Sequence, residues 1–133
     1  MPRDNRRRNR NFGNFGERVA ASHLESKGYE ILERNWSVRE GEIDLIAKRA
    51  NEIVFVEVRS RRGGGRMGTP EESITGRKAA HVRAAAAAYV QEHPESPANQ
   101  RIDVVALELD AKGRVLRVEQ IENAIEDEDE SEE

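Results

Sequence analysis

Two neighbouring segments decide the fold, Gly41-Glu42-Ile43-Asp44-Leu45-Ile46-Ala47 and Ile53-Val54-Phe55-Val56-Glu57-Val58-Arg59. Both are rich in β-branched and other apolar residues, and a short polar turn separates them, which is typical of a hairpin with strands Glu42–Ala47 and Ile53–Arg59. A turn centred between Ala50 and Asn51 pairs residues whose numbers sum to 101. A shift of one residue would set apolar side chains against charged ones, so the pattern specifies this register. One face then carries the pairs Ile43 with Val58, Leu45 with Val56 and Ala47 with Val54.

The same register brings two carboxylates together. Asp44 and Glu57 are predicted to lie across from each other, with Cβ atoms about 4.5–5.5 Å apart. Carboxylates this close repel unless a proton or a cation lies between them, and Mg²⁺ or Mn²⁺ binds through one or two carboxylates together with a phosphate. Arg59 leaves the same face two residues later and would stabilise charge on that phosphate. We therefore predict Asp44 and Glu57 as metal ligands and Arg59 as a catalytic cation. The alternative is a solvated sheet face on which arginines pair with these carboxylates.

The remaining segments predict an α/β sandwich with a central mixed sheet, in the order α-β-β-β-α-β-β. The first helix is predicted over Asn14–Lys27, because Asn14 can cap it and Gly28 can end it. Glu17 leans toward the packed side of this helix, where it is either a third site carboxylate or a capping-box glutamate. The other predicted elements are the strand Tyr29–Trp36, the helix Arg77–Gln91 and the strands Ile102–Leu109 and Val115–Ile121.

Residues 60–69 are predicted to form a loop, because they combine arginines with four glycines. Arg61, Arg62 and Arg66 in this loop are candidates for binding nucleic-acid phosphates without reading bases. The alternative is a mobile, solvated loop. Lys78, at the start of the second helix, is either a second cation near the site or a solvated helix lysine. Pro70–Glu72 could start a short helical turn.

Composition limits the classes of protein to which this chain can belong. Its 133 residues suffice for one domain, and 36% of them are charged. The absence of cysteine excludes disulfides and thiolate sites, and no apolar run approaches the roughly 20 residues of a membrane span. We expect a cytoplasmic protein that does not bind membranes. Like charges at both ends predict a disordered basic arm (1–11) and a disordered acidic tail (126–133) around one endonuclease-like domain (12–125).

Several motifs in a fixed order carry a resemblance to a known family. They are Asn14–Ala20, Gly28–Trp36, Gly41–Ala47, Val54–Arg59, Thr69–Ile74, Lys78 and Arg101–Val105. Together they span about Phe12 to Ile125 and resemble the bacterial YraN family, also labelled UPF0102. The resemblance implies a restriction-endonuclease-like fold of the PD-(D/E)xK superfamily, close in form to archaeal Holliday-junction resolvases.

The resemblance also implies roles for individual residues. Asp44 would be the first metal carboxylate, Glu57 the second, and Glu17 the helical carboxylate that often completes such sites. Arg59 stands where the motif has a lysine. Arginine stays protonated, so it can position groups and stabilise charge but cannot help to deprotonate water.

Three functions follow as hypotheses. The first is a Mg²⁺- or Mn²⁺-dependent nuclease that hydrolyses phosphodiesters in structured or branched DNA, such as junctions or flaps. The alternative is a non-catalytic nucleic-acid-binding module in DNA repair or recombination, and the third is a protein-interaction role for the acidic tail. The oligomeric state, including a homodimer, is left open.

Overall fold

The segments of regular structure follow one another in the predicted order, α-β-β-β-α-β-β. The structure is a computed structural model that describes residues 15–63 and 74–125. Helix α1 covers described residues 15–26. The other elements are β1 (Glu30–Val38), β2 (Gly41–Arg49), β3 (Glu52–Arg62), α2 (Gly76–Glu92), β4 (Asn99–Leu109) and β5 (Val115–Ile121). Several predictions fall outside the described residues, namely the Asn14 cap, the Pro70–Glu72 turn, Arg66 and both charged ends.

The five strands form one mixed sheet in the order β1-β2-β3-β4-β5. Strands β3 and β4 are parallel, and helix α2 connects them, whereas the other neighbouring strands are antiparallel. In the β2–β3 hairpin Leu45 pairs with Val56 and Ala47 with Val54. The predicted register of this hairpin is therefore confirmed from Leu45 and Val56 to the turn, whereas the predicted pairs of Ile43 with Val58 and Asp44 with Glu57 lie beyond the observed pairing.

Each face of the sheet carries one helix and one apolar cluster. Ala20, Ala21 and Leu24 of α1 pack on one face against a cluster that includes Leu45 and Val56. On the opposite face, α2 buries its apolar side against Ile46, Phe55 and their neighbours, through Val82, Ala85, Ala86 and Tyr89. Because the inner strands are covered on both faces, residues 53–56 are a continuous buried apolar run rather than an alternating one.

Strand β2 changes faces at Asp44. Leu45 belongs to the cluster under α1, but Ile43 belongs to the cluster under α2. In a regular strand residues two apart share a face, so the prediction that Ile43 lies on the face of Leu45 is wrong. Strand β1 is irregular at the same level: Asn35 has φ of 53°, between the pairs Arg34 with Leu45 and Trp36 with Ile43.

The predicted loop begins later than expected. Ser60, Arg61 and Arg62 lie in β3, where they pair with Leu107–Leu109 of β4. Arginine and glycine content suggested a loop, but parallel pairing with the buried end of β4 extends the strand by three residues. The strand ends at Arg62, and the next residue, Gly63, has φ of 87° and donates its N–H to the Leu109 carbonyl at 3.0 Å. Arg61 and Arg62 are therefore strand residues rather than loop residues.

Gly41 allows β2 to approach α2 closely. A Cβ atom at this position would lie 2.8 Å from the backbone oxygen of His81, on the second turn of α2. Real Cβ atoms do not come this close to a backbone oxygen, so any larger residue must push the strand and the helix apart. The contact sets the distance between β2, which carries Asp44, and the helix, which carries Lys78.

We predict that Gly41→Ala lowers the free energy of unfolding by about 1–3 kcal/mol, the usual cost of overpacking. Urea unfolding followed by circular dichroism measures this loss. Gly76→Ala is the matched control, because a Cβ at Gly76 has no atom within 4 Å and the residue begins a helix. This control should be neutral or stabilising by up to about 1 kcal/mol. Equal effects of the two substitutions would contradict the close approach.

Candidate active site

Asp44 lies where the β2–β3 pairing ends. The pairing runs as far as Leu45 and Val56. One step beyond it, the Val58 N–H donates to Asp44 Oδ2 at 2.8 Å. The Asp44 side chain thus accepts a hydrogen bond that a backbone carbonyl of β2 would accept in a continued ladder. This bond holds the half-buried carboxylate between the two strands, beside the backbone of the residue that follows Glu57.

Glu57 is a buried carboxylate with one partnered and one unpartnered oxygen. The residue is only 2% exposed. Its Oε2 lies 3.1 Å from Lys78 Nζ of α2 and 3.9 Å from Arg59 Nη1. Its Oε1 has no hydrogen-bond partner among the described residues. Burial raises the pKa of Glu57, and Lys78 and then Arg59 oppose that rise.

Burial and the nearby Glu57 carboxylate together raise the pKa of Asp44. Burial is the larger cause and Glu57 the next, and they raise the pKa of Asp44 to about 7. The Val58 N–H lowers this pKa, the Glu17 carboxylate raises it, and Lys78 lowers it. The two carboxylates are thus close enough to compete for a proton or a cation near neutral pH.

Glu17 reaches the same region from α1. Gly16 lets this helix approach β3, since a Cβ there would lie 3.1 Å from the Ser60 hydroxyl. Glu17 Oε1 accepts a hydrogen bond of 2.9 Å from Asn35 Nδ2. The Glu17 carboxylate is near enough to Asp44 to raise its pKa, after the larger effects of burial and Glu57.

The predicted cations separate into two groups. Arg59 and Lys78 both contact Glu57. Arg61 is half-buried on β3, two residues beyond Arg59, and so leaves the same side of the strand. Arg62 alternates to the other side and lies over the β4–β5 turn, where a Cβ on Gly113 would be 3.4 Å from its Nη2. The structure therefore brings Arg59 and Lys78 to the carboxylates but not Arg62.

Asn35 borders the candidate site through its hydrogen bond to Glu17 and was not predicted from the sequence. It is 8% exposed, and it interrupts the strand with a left-handed backbone conformation. The available signal was an asparagine inside a strand whose apolar alternation is imperfect. Asparagine tolerates a positive φ better than most residues, but such a residue in mid-strand is uncommon.

A divalent cation fits the residues present. Within residues 15–63 and 74–125, no three His, Cys, Asp or Glu side chains are arranged to hold a metal ion by themselves. Mg²⁺ does not need such a cage, because it keeps several waters and binds through one or two carboxylates. The unpartnered Glu57 oxygen and the neighbouring Asp44 carboxylate are a suitable pair of ligands for it.

The fold and site together define a small α/β protein with one helix on each face of a mixed sheet. Its paired acidic groups lie on two neighbouring strands of that sheet. Residues 16–107 match the family model described as "Uncharacterised protein family UPF0102". A UPF0102 protein of Frankia alni is 46% identical over 113 residues, covering 85% of this chain and 92% of that relative. One of Moorella thermoacetica is 46% identical over 115 residues, covering 86% of this chain and 95% of that relative. The chain belongs to the UPF0102 family, so the family resemblance is confirmed.

In the described part of the chain, neither helix has the length and apolar character needed to cross a membrane.

We predict that Asp44→Asn stabilises the protein at pH 8. The folded-state pKa of about 7 lies above the usual value of 3.8. The folded state therefore binds more protons than the unfolded state between about pH 4 and pH 7, and stability falls as the pH rises through this window. Replacing the carboxylate should increase the free energy of unfolding at pH 8 on the order of 1–3 kcal/mol. The gain should vanish near pH 4.

Urea unfolding at both pH values measures this effect. Asp110→Asn is the control of opposite sign, because the N–H groups and the guanidinium of Arg114 lower the pKa of Asp110. That variant should lose stability at pH 8 and recover it at low pH. A gain in the free energy of unfolding that does not depend on pH would contradict the raised pKa of Asp44.

Proposed function

We propose that the protein is a Mg²⁺- or Mn²⁺-dependent nuclease that hydrolyses phosphodiesters in structured or branched DNA. The observation that carries the proposal is the buried Glu57 carboxylate, whose Oε1 meets no hydrogen-bond partner in residues 15–63 and 74–125 and which lies beside an Asp44 carboxylate with a raised pKa. Two neighbouring carboxylates of this kind destabilise the folded protein, because their charges repel and are poorly solvated. A bound divalent cation would remove that cost. The order of elements in the mixed sheet is consistent with a restriction-endonuclease-like fold of the PD-(D/E)xK superfamily.

Asp44 and Glu57 would hold the metal ion. When bound, the ion supplies a Lewis acid and lowers the pKa of water, which is the chemistry that phosphodiester hydrolysis needs. The Val58 N–H keeps the Asp44 carboxylate in one orientation. Lys78 holds the other ligand through its 3.1 Å contact with Glu57 Oε2.

The superfamily motif has a lysine after its second carboxylate, and here Arg59 and Lys78 would together take the place of that lysine. Arg59 remains protonated and can stabilise charge on a phosphate. Lys78 is an amine that can orient a water molecule or exchange a proton with it, and it lies closer to Glu57 than Arg59 does. The arginine at the motif position is therefore compatible with hydrolysis if Lys78 supplies the amine.

DNA is the proposed substrate because cations continue away from the carboxylates along one side of β3. Glu57, Arg59 and Arg61 alternate to the same side of the strand. Such a row binds phosphates without reading bases, so specificity would come from the shape of the nucleic acid. A DNA substrate also fits the cytoplasmic location that the sequence predicts.

A second candidate function is nucleic-acid binding without hydrolysis. The observation that favours it is the contact of Lys78 and Arg59 with Glu57, which neutralises this carboxylate without a metal ion. If that ion pair is the resting and only state of Glu57, the protein keeps the cationic surface and has no catalytic centre.

A cleavage assay on single-stranded, duplex, flap and four-way-junction DNA tests the proposal. With Mg²⁺ or Mn²⁺, the wild type should cleave a branched substrate. Asp44→Asn and Glu57→Gln should each reduce the rate by more than about 100-fold, since residues that merely support metal ligands already cost about 10–100-fold. Lys78→Met should also abolish cleavage, whereas Arg59→Lys should preserve or increase it.

Glu25→Gln is the control for loss of one negative charge, because Glu25 is exposed on α1; it should cleave like the wild type. Binding to the same DNA is measured in parallel at two salt concentrations. Salt-sensitive binding by the wild type with no cleavage under any metal condition would leave only the second function. Cleavage that survives Asp44→Asn would overturn the assignment of the site.

A further inference from the structure

A cavity lies beside Ile125, on the side of the sheet that α2 covers. Ile125 is 6% exposed, and its N–H donates to the Ile102 carbonyl at 3.5 Å. The cavity has a volume of about 360 Å³ and lies between the first half of α2 and the strands β4 and β5. Other residues that line it are Gly76, Ala79 and Arg83 of α2, Val104 of β4 and Ile121 of β5. The chain that follows Ile125 therefore begins at this cavity.

The cavity adjoins the candidate active site. Val104 in its wall pairs with Glu57 in the parallel β3–β4 ladder, and neighbouring strands are about 4.8 Å apart. Lys78, whose ammonium group contacts Glu57 Oε2, lies on α2 between the lining residues Gly76 and Ala79. An occupant of the cavity would therefore lie next to Glu57 and its cations.

Cations surround this part of the molecule. The first turn of α2 contains no acidic residue and carries the exposed Arg77 together with Lys78. The positive end of the helix dipole adds to these charges. We define the cationic face as the cations of β3 beyond Glu57 and those of the first half of α2, namely Arg59, Arg61, Arg77, Lys78 and Arg83.

The acidic tail (126–133) has the charge and the length to occupy the cationic face. It contains seven acidic residues and one serine. Eight residues of extended chain span up to about 26 Å, whereas two turns of α-helix span about 11 Å. The acidic residues that precede the tail have other partners, since Glu119 contacts Arg117 and Glu122 contacts Arg101.

We propose that the acidic tail docks on the cationic face, starting at the cavity beside Ile125, and competes there with the phosphates of nucleic acid. Carboxylates and phosphates both bind arginine and lysine, so one surface can bind either of them. The competition rests on the proposed function, whereas the docking does not. The tail lies outside residues 16–107, which match the family model, so the docking is a property of this chain rather than of the family fold.

Paramagnetic relaxation in the whole 133-residue chain tests the docking without nucleic acid. The chain has no cysteine, so a nitroxide attached to Ser131→Cys is the single label. At low salt it should broaden the amide signals of residues 76–79 of α2 much more than those of residues 20–24 of α1, which pack on the opposite face. The broadening should fall in about 1 M NaCl, where the Debye length is about 3 Å.

Charge variants separate docking from mere tethering, because the label is always within eight residues of Ile125. The Arg77→Gln, Arg83→Gln double variant should lessen the broadening, whereas Arg18→Gln, which removes an exposed cation of α1, should not. A tail without acidic residues should lose the broadening. Its substitutions are Glu126→Gln, Asp127→Asn, Glu128→Gln, Asp129→Asn, Glu130→Gln, Glu132→Gln and Glu133→Gln.

Three results would overturn the docking. They are no broadening of residues 76–79 at low salt, equal broadening by the wild-type and the neutralised tail, and broadening that the double arginine variant leaves unchanged. The amide spectrum of each variant also shows whether it is folded.

Binding to duplex and four-way-junction DNA tests the competition. A tail that is docked about nine-tenths of the time reduces the apparent affinity for DNA about 10-fold. The neutralised tail should therefore tighten binding about 10-fold at low salt. The same gain in the Arg77→Gln, Arg83→Gln background would mean that the tail repels DNA without docking, and it would overturn the inference.

The outcomes separate this inference from the proposed function. Broadening that depends on the charges of both the tail and the arginines, with no DNA binding by any variant, supports the docking and contradicts the nuclease. Metal-dependent cleavage of branched DNA, with no charge-dependent broadening and equal DNA affinity for the wild-type and the neutralised tail, supports the nuclease and overturns the docking.

Discussion

The hydrogen bond from the Val58 N–H to Asp44 Oδ2 is the contact on which the arrangement of the site depends. It occupies the place of a ladder bond at the point where the β2–β3 pairing ends. Because an aspartate side chain is short, the bond forces its carboxylate to lie between the strands, next to Glu57. Asp44 also lies opposite Asn35 of β1, and it is the position at which β2 changes faces. This side-chain bond to the backbone therefore coincides with the end of the β2–β3 pairing and with the change of faces in β2.

A second buried carboxylate in the same sheet shows what a purely structural solution looks like. Asp103 of β4 is fully buried, and both of its oxygens are satisfied by Arg101, the Gln120 amide and the Asn123 N–H. It pairs in the sheet with Val56, the neighbour of Glu57 in sequence. Glu57 is nearly as buried, but its Oε1 has no hydrogen-bond partner among the described residues. Native proteins rarely leave such a group unsatisfied, so the contrast supports the proposal that Glu57 belongs to a site, whereas Asp103 is satisfied within the framework.

The parts of this structure that repeat a simple period could be predicted from the sequence, and the parts that break a period could not. Apolar pairing across the hairpin predicted the register that placed Asp44 and Glu57 together, and Gly28 predicted the end of α1. The face of Ile43 was predicted wrongly because strict alternation was assumed through Asp44. The left-handed conformation of Asn35 and its hydrogen bond to Glu17 of α1 were missed for the same reason, because the helix is far away in sequence. The strand content of Ser60–Arg62 was missed because the pairing partner, the end of β4, is distant in the chain.

The position of Lys78 explains how the fold can hold the buried Glu57 beside the half-buried Asp44. The close approach of Gly41 to His81 sets the separation of β2 and α2, and Lys78 lies one turn before His81 on the helix. Its ammonium group meets Glu57 Oε2, whereas nothing described meets Oε1. Lys78 and Arg59 therefore stabilise the folded state only in part, because Asp44 and Glu57 both keep raised pKa values. Protons relieve the remaining electrostatic strain at low pH, and under the proposed function a divalent cation would relieve it at neutral pH, so the imbalance that weakens the fold would favour metal binding.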